Sequence, residues 1–139
     1  MNSSNVYVLD TNIISYYLRG NELVARSIFR ALANGHSVIV APIAYYEIKR
    51  GLMAIDANER LKEFDIFCDF FGVGRLDNSI LDVAAGIYAE LKKMQRRVDD
   101  ADILIAAFCK CWKFSLVTNN TKHFAHIQGL TIVDWTKHI

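Results

Sequence analysis

Val6-Tyr7-Val8-Leu9-Asp10-Thr11-Asn12 decides the reading of this chain: four apolar residues, enough for a short strand, end on an acid, a hydroxyl and an amide. From Asn12 to Leu18 the spacing turns helical, so a strand hands over to a helix. The same alternation continues to the other end. Strands are expected at Val6 to Leu9, Ser37 to Val40, Val73 to Leu76, Ser115 to Thr118 and Thr131 to Val133. Helices are expected at Asn12 to Leu18, Glu22 to Ala33, Ile43 to Met53, Asn58 to Phe71, Ser79 to Gln95 and Asp100 to Trp112. Asn78 or Ser79, and Asp99 or Asp100, are the expected N-caps. Alternating strands and helices make an α/β fold, a parallel sheet flanked by helices. Pro42, the only proline, follows the second strand, where its fixed φ helps to start a helix.

Of the 139 residues 53% are hydrophobic, enough to fill one core, and no repeat, low-complexity tract or Gly/Ser linker interrupts them. One domain over residues 1–139 is the expectation. No apolar run approaches the roughly 20 residues of a bilayer span, and Met1 to Asn5 has neither a basic nor an extended apolar segment. A cytoplasmic protein is expected. Cys68, Cys109 and Cys111 are sparse and odd in number, which speaks for free thiols in a reducing compartment. Two apart on a helix, Cys109 and Cys111 diverge by roughly 200° and cannot grip one ion together. Sixteen Lys and Arg against 15 Asp and Glu leave a net +1, so any pull on a polyanion must be local. Its best source is Lys92, Lys93, Arg96 and Arg97, a run that also suits the solvated, dipole-favoured end of a helix.

In open parallel sheets, ligands bind beyond the carboxyl ends of the strands. Asp10 follows the first strand, and Asn119 and Asn120 follow the fourth, so neighbouring strands would put them in one crevice. Asp10 also fits a helix cap, yet Thr11 and Asn12 can cap as well, which leaves the acid itself to explain. Glu47 falls about 40° round its helix from Ile43, at the border of the apolar face, with Gly51 leaving space one turn on. A boundary Glu paired with Arg50 is the plainer alternative. Asp102 shares the apolar arc of its helix with Ile105, Ala106 and Cys109, where an uncompensated carboxylate is costly. The helix N-terminus beside it offsets part of that cost. Three acids gathered this way suit a hard divalent ion, Mg²⁺ or Mn²⁺, which binds through one or two carboxylates, waters and phosphate oxygens.

Together these residues resemble the PIN-domain ribonucleases, most closely the VapC toxins of toxin–antitoxin pairs, over nearly the whole chain. Val8-Leu9-Asp10-Thr11-Asn12 is similar to the opening motif of that family, Glu47 with Gly51 to the second, and Asp102-Ile103-Leu104-Ile105-Ala106-Ala107 to the third. Thr118-Asn119-Asn120 with Phe124, then Gly129-Leu130 and Asp134-Trp135, resembles the toxin tail. The resemblance implies a three-layer α/β/α sandwich with strand order 3-2-1-4-5. It implies Asp10, Glu47 and Asp102 as catalytic and metal-binding acids, and Mg²⁺- or Mn²⁺-dependent endoribonuclease activity with one or two ions. An RNA substrate, a homodimer, and a VapB-type antitoxin whose tail packs across the helices and blocks the site are implied as well. Many PIN nucleases carry a fourth acid where this chain has Asn120, which can orient a water or ligate weakly but adds no charge. Asp100 is the next candidate ligand, because Asp100-Ala101-Asp102 resembles some family members; it also fits a cap.

Thr11 and Thr118, and less specifically Ser15, are candidate hydrogen-bond donors to phosphate or to the acids. His123 and His126 follow the Asn119-Asn120 turn and read as surface or tail-packing residues rather than acid–base groups. Tyr16, Tyr17, Tyr45 and Tyr46 read as core and dimer packing. Two rivals stand beside the nuclease. An aspartyl phosphotransferase would use Asp10 as nucleophile, but wants a second acid two residues on and a lysine in the site, and position 12 is Asn. A PIN-like module that binds RNA or protein without cleaving is the other, and Asn120 is its sign.

Overall fold

A computed structural model describes residues 4–137, so the first three positions of the Met1 to Asn5 leader lie outside it. Its sheet has four parallel strands, β1 (Val6–Leu9), β2 (Ser37–Val40), β3 (Ser115–Val117) and β4 (Thr131–Val133), in the order β2-β1-β3-β4. Parallel strands need long crossovers, which helices supply. Between β1 and β2 run α1 (Thr11–Leu18) and α2 (Glu22–Ala33). Between β2 and β3 run α3 (Pro42–Ala54), α4 (Asn58–Phe71), α5 (Asn78–Lys93) and α6 (Asp100–Trp112), and α7 (Thr121–Phe124) precedes β4. Pro42 starts α3, as its fixed φ suggests. The core lies on the inner strands β1 and β3, where Val8, Leu9, Leu116 and Val117 are fully buried, and extends to Val40 on β2.

The expected third strand is the main departure. Val73 makes one parallel bridge to Val40, and the chain then leaves the sheet. Two glycines explain it. Gly72 turns out of α4 with a φ of +85°, and a Cβ on Gly74 would stand 2.5 Å from the nearest carbon of the buried Phe108 ring. Glycine permits that approach and weakens a strand at the same place. Counted with its bridge, this segment keeps the outer position that the order 3-2-1-4-5 gives it; the sheet proper has four strands.

Smaller differences fall at element ends. The cap of α5 is Asp77, whose side chain accepts from the Ile80 N–H, rather than Asn78 or Ser79. Asp99 holds the cap position of α6 without a side-chain cap bond. Helix α7 is too short to show a period and is not among the expected helices. No helix among the described residues is long and apolar enough to cross a membrane. All three cysteines are free, and burial pushes the thiols of Cys68 and Cys109 up, away from a reactive thiolate.

Candidate active site

The sheet register positions the site. Leu9 stands opposite Val117, so the residues that follow, Asp10 and Thr118, meet at the carboxyl edge of two neighbouring strands. Asp10 is only 4% exposed. Its N–H donates to the Val117 carbonyl at 3.0 Å, its Oδ1 accepts from the Thr11 N–H at 2.8 Å, and its Oδ2 accepts from the Thr118 hydroxyl at 2.8 Å. It therefore caps α1 and faces the crevice at once. The Thr118 hydroxyl also accepts from the Asn120 N–H at 3.0 Å, so one oxygen ties the acid to the loop after β3. Burial pushes the Asp10 carboxyl from 3.8 up to about 6; the Thr118 and Thr11 bonds pull it down, and the Asp102 and Glu47 charges push it further up. The three acids share one field.

Glu47 reaches the same crevice from α3. Its Oε1 accepts from the Thr11 hydroxyl at 2.6 Å, and Arg50 Nη2 lies 3.9 Å from Oε2, so the boundary pairing with Arg50 is present too. Asp102 sits in the first turn of α6 with its Oδ2 3.2 Å from His123 Nδ1. Burial raises the Asp102 carboxyl, and the His123 contact lowers it. His123 thus stands with the acids and is more than a surface or tail-packing residue.

One cleft of about 530 Å³ collects Asp10, Glu47, Asp102, Asn119, Asn120 and His123, together with Asn12, Ser15, Tyr16, Arg19 and Asp99. Tyr16 belongs to its wall, where its hydroxyl accepts from Asn119 Nδ2 at 3.1 Å. Asp100 does not line this cleft. It is exposed and lines a separate hollow between α5 and α6 with Tyr88, while Asp99 takes the place beside Asp102. Helical rotation is the reason, since residues two apart point to opposite sides. Among the described residues no lysine lines the cleft, so a requirement of the phosphotransferase reading is unmet.

The donors fit a hard cation. Besides the three carboxylates, Asn12 Oδ1 is buried and has no hydrogen-bond partner, and Asn12 lines the same cleft. A buried oxygen without a donor is costly and marks a place for water or an ion. Asn12 is absent from the residues that the sequence singles out as ligands, because next to a helix start an asparagine reads as a cap. Among the described residues no three His, Cys, Asp or Glu side chains converge into a ready ligand shell. The arrangement therefore suits an ion that keeps several of its waters, as Mg²⁺ does, better than one caged wholly by protein.

The sequence model of the PIN domain family matches residues 7–130. Ribonuclease VapC1 of Haemophilus influenzae strain R2866 is 28% identical over 135 residues, which cover 95% of this chain and 99% of that relative. The tRNA(fMet)-specific endonuclease VapC of Shigella flexneri is 29% identical over 136 residues, covering 94% and 98%. Among solved structures, VapBC-1 from nontypeable Haemophilus influenzae superposes with a TM-score of 0.85 at 26% identity, over 95% of this chain and 99% of the other.

Proposed function

Because this chain belongs to the PIN domain family, we propose that it is a divalent-metal-dependent endoribonuclease and the toxin of a VapBC-type pair. It acts as a homodimer and is inhibited by a VapB-type antitoxin. The meeting of Asp10, Glu47 and Asp102 in one cleft at the carboxyl edge of the sheet carries this reading. Nearly full-length relatives named ribonuclease and endonuclease support it.

Asp10 and Asp102 would hold the ion, directly or through water, and Glu47 would position an outer water or a second ion. A divalent cation bound there would supply Lewis acidity, polarising a phosphodiester and lowering the pKa of a water. The remaining work belongs to the chain's own groups. The Thr11 N–H and the Thr118 hydroxyl fix the two oxygens of Asp10, the Thr11 hydroxyl fixes Glu47, and His123 fixes Asp102. Asn120, anchored through its N–H on Thr118, presents an amide that orients water or RNA without adding charge. In the test, RNA cleavage by the purified chain is expected to stop with EDTA and return with Mn²⁺. Cleavage that survives chelation overturns the metal dependence, and a metal-loaded chain that leaves RNA intact overturns the nuclease.

Thr118 offers a finer check. Thr118→Val keeps the shape but leaves Asp10 Oδ2 and the Asn120 N–H without their shared hydroxyl. Groups that orient a ligand typically cost about 10–100-fold in metal affinity or activity when removed. That loss is expected here, with more Mn²⁺ needed for half-maximal rate, while Thr118→Ser keeps both. A Mn²⁺ requirement unmoved by Thr118→Val would show that the hydroxyl does not set Asp10.

A further inference from the structure

We infer that the loop after α5 and the segment around α7 form a phosphate-binding cleft, in which Arg96, Arg97 and Lys122 hold the RNA backbone beside the acidic pocket. This rests on the nuclease reading above. The cleft measures about 500 Å³ and shares Asp99, Asp102 and His123 with the acidic pocket, so the two adjoin along these residues. Arg96, Arg97 and Lys122 gather in this cleft, while the acidic pocket holds the carboxylates with Arg19 as its one cation among the described residues.

The cations of this cleft are unspent. Arg26, Lys49, Arg50, Lys62 and Lys93 each lie within ion-pair distance of a carboxylate. Among the described residues Arg96, Arg97 and Lys122 form no ion pair, although Asp99 and Asp102 line the same cleft. The basic run of the sequence also divides in a telling way. Lys92 and Lys93 lie in the last turn of α5, where the helix dipole accounts for them, and Lys93 pairs with Glu90. Arg96 and Arg97 come after the helix has ended. Gln95 turns the chain with a φ of +58°, and the Arg96 N–H bonds back to the Leu91 carbonyl at 2.8 Å. A tight turn thus delivers two exposed arginines that line this cleft and also border the hollow that holds Asp100.

Physical need points the same way. A pocket lined by four acids, Asp10, Glu47, Asp99 and Asp102, repels a polyanion, and a net +1 supplies no long-range field to overcome that. Local cations must bring the strand in. Guanidinium forks match phosphate oxygens, and such contacts hold a strand in register without reading its bases. Arg96, Arg97 and Lys122 are therefore positioning residues that touch neighbouring phosphates, away from the bond that breaks.

The test compares the full chain with Arg96→Gln/Arg97→Gln and with Lys122→Gln. Cleavage is read in the otherwise unchanged chain, and single-stranded RNA binding is read by fluorescence anisotropy with Asp10→Asn in every variant. The arginine pair is expected to raise KM about tenfold with kcat within about twofold. The slope of log K against log salt should flatten by about 0.7 for each cation removed, as for single-stranded contacts. With Asp10 intact, the rise in unfolding temperature expected on adding Mn²⁺ should be the same in these variants as in the unchanged chain, and Lys113→Gln, at the far end of α6, should change nothing. Unchanged KM and salt slope overturn the cleft while leaving the nuclease standing. A fall in kcat together with an altered Mn²⁺ response also overturns it, because the arginines would then be shaping the acidic pocket. A wild-type chain that neither cleaves nor binds RNA sinks both.

Discussion

Asp10→Asn is expected to abolish RNA cleavage and, in the same step, to make the protein more stable. The carboxyl is almost wholly buried, and its burial moves it from 3.8 to about 6. That gap corresponds to about 3 kcal/mol spent on keeping the group charged at neutral pH. The sign follows from proton binding. The folded chain holds this proton more tightly than the unfolded chain, so Asp10 costs nothing below about pH 4. Stability falls as pH climbs from about 4 to about 6 and is level above. Asparagine removes the charge and keeps the shape, accepting from the Thr11 N–H and donating to the Thr118 hydroxyl. In metal-free buffer at pH 7.5 the variant should unfold several degrees above wild type, and near pH 4 the two should coincide. Cleavage should drop at least about a thousandfold, the scale of the several kcal/mol that a misplaced ion forfeits. Normal cleavage removes Asp10 from catalysis; a variant less stable at neutral pH removes the charge strain.

That strain shows what the sequence makes legible. Asp102 reads as expensive from its place in the apolar arc of its helix, whereas Asp10 is legible from its place after the first strand, at the carboxyl edge of the sheet. The fold is legible for a related reason. β1, β4 and Val38 to Val40 of β2 are continuous apolar or β-branched runs, and α2, α4 and α6 are long enough to show a helical period. Val73 to Leu76 looks like another such run, but packing decides there, because the Phe108 ring occupies the space that a side chain at Gly74 would need. The cap of α5 fails differently. Asp77, Asn78 and Ser79 are three good caps in succession, and only backbone geometry picks the first.

Within the site, legibility ends where contacts are long-range or rotation is fine. His123 meets Asp102 across 21 residues from a four-residue helix that has no period to betray it. The Thr118 bond to Asp10 spans 108 residues and exists because the β1–β3 register aligns the ends of both strands. Asp99 and Asp100 differ by one step of about 100° along the chain, which sends the second to another hollow. The roughly 200° that separates Cys109 from Cys111 equally separates Asp100 from Asp102, two positions apart on the same helix.

Mn²⁺ is expected to raise the unfolding temperature of the wild-type chain and to leave Asp10→Asn where it is. An ion that binds only the folded state adds about 2.7 kcal/mol at a hundredfold excess over its Kd, worth several degrees in a chain of this size. The acidic cleft gives that binding its source, because a cation cancels the repulsion that Asp102 and Glu47 impose on Asp10. Protons compete for the same oxygens. Below about pH 6 the Asp10 carboxyl is protonated, and an ion must displace that proton to bind. The Mn²⁺ increment should therefore be full near pH 7.5 and shrink as pH falls through 6, while metal-free stability grows over the same interval. The two trends have opposite signs, which separates the cleft from casual binding at exposed carboxylates that ionise near 4. An increment that persists at pH 5, or survives Asp10→Asn, would put the ion elsewhere on the surface and leave the buried charge of Asp10 without its purpose.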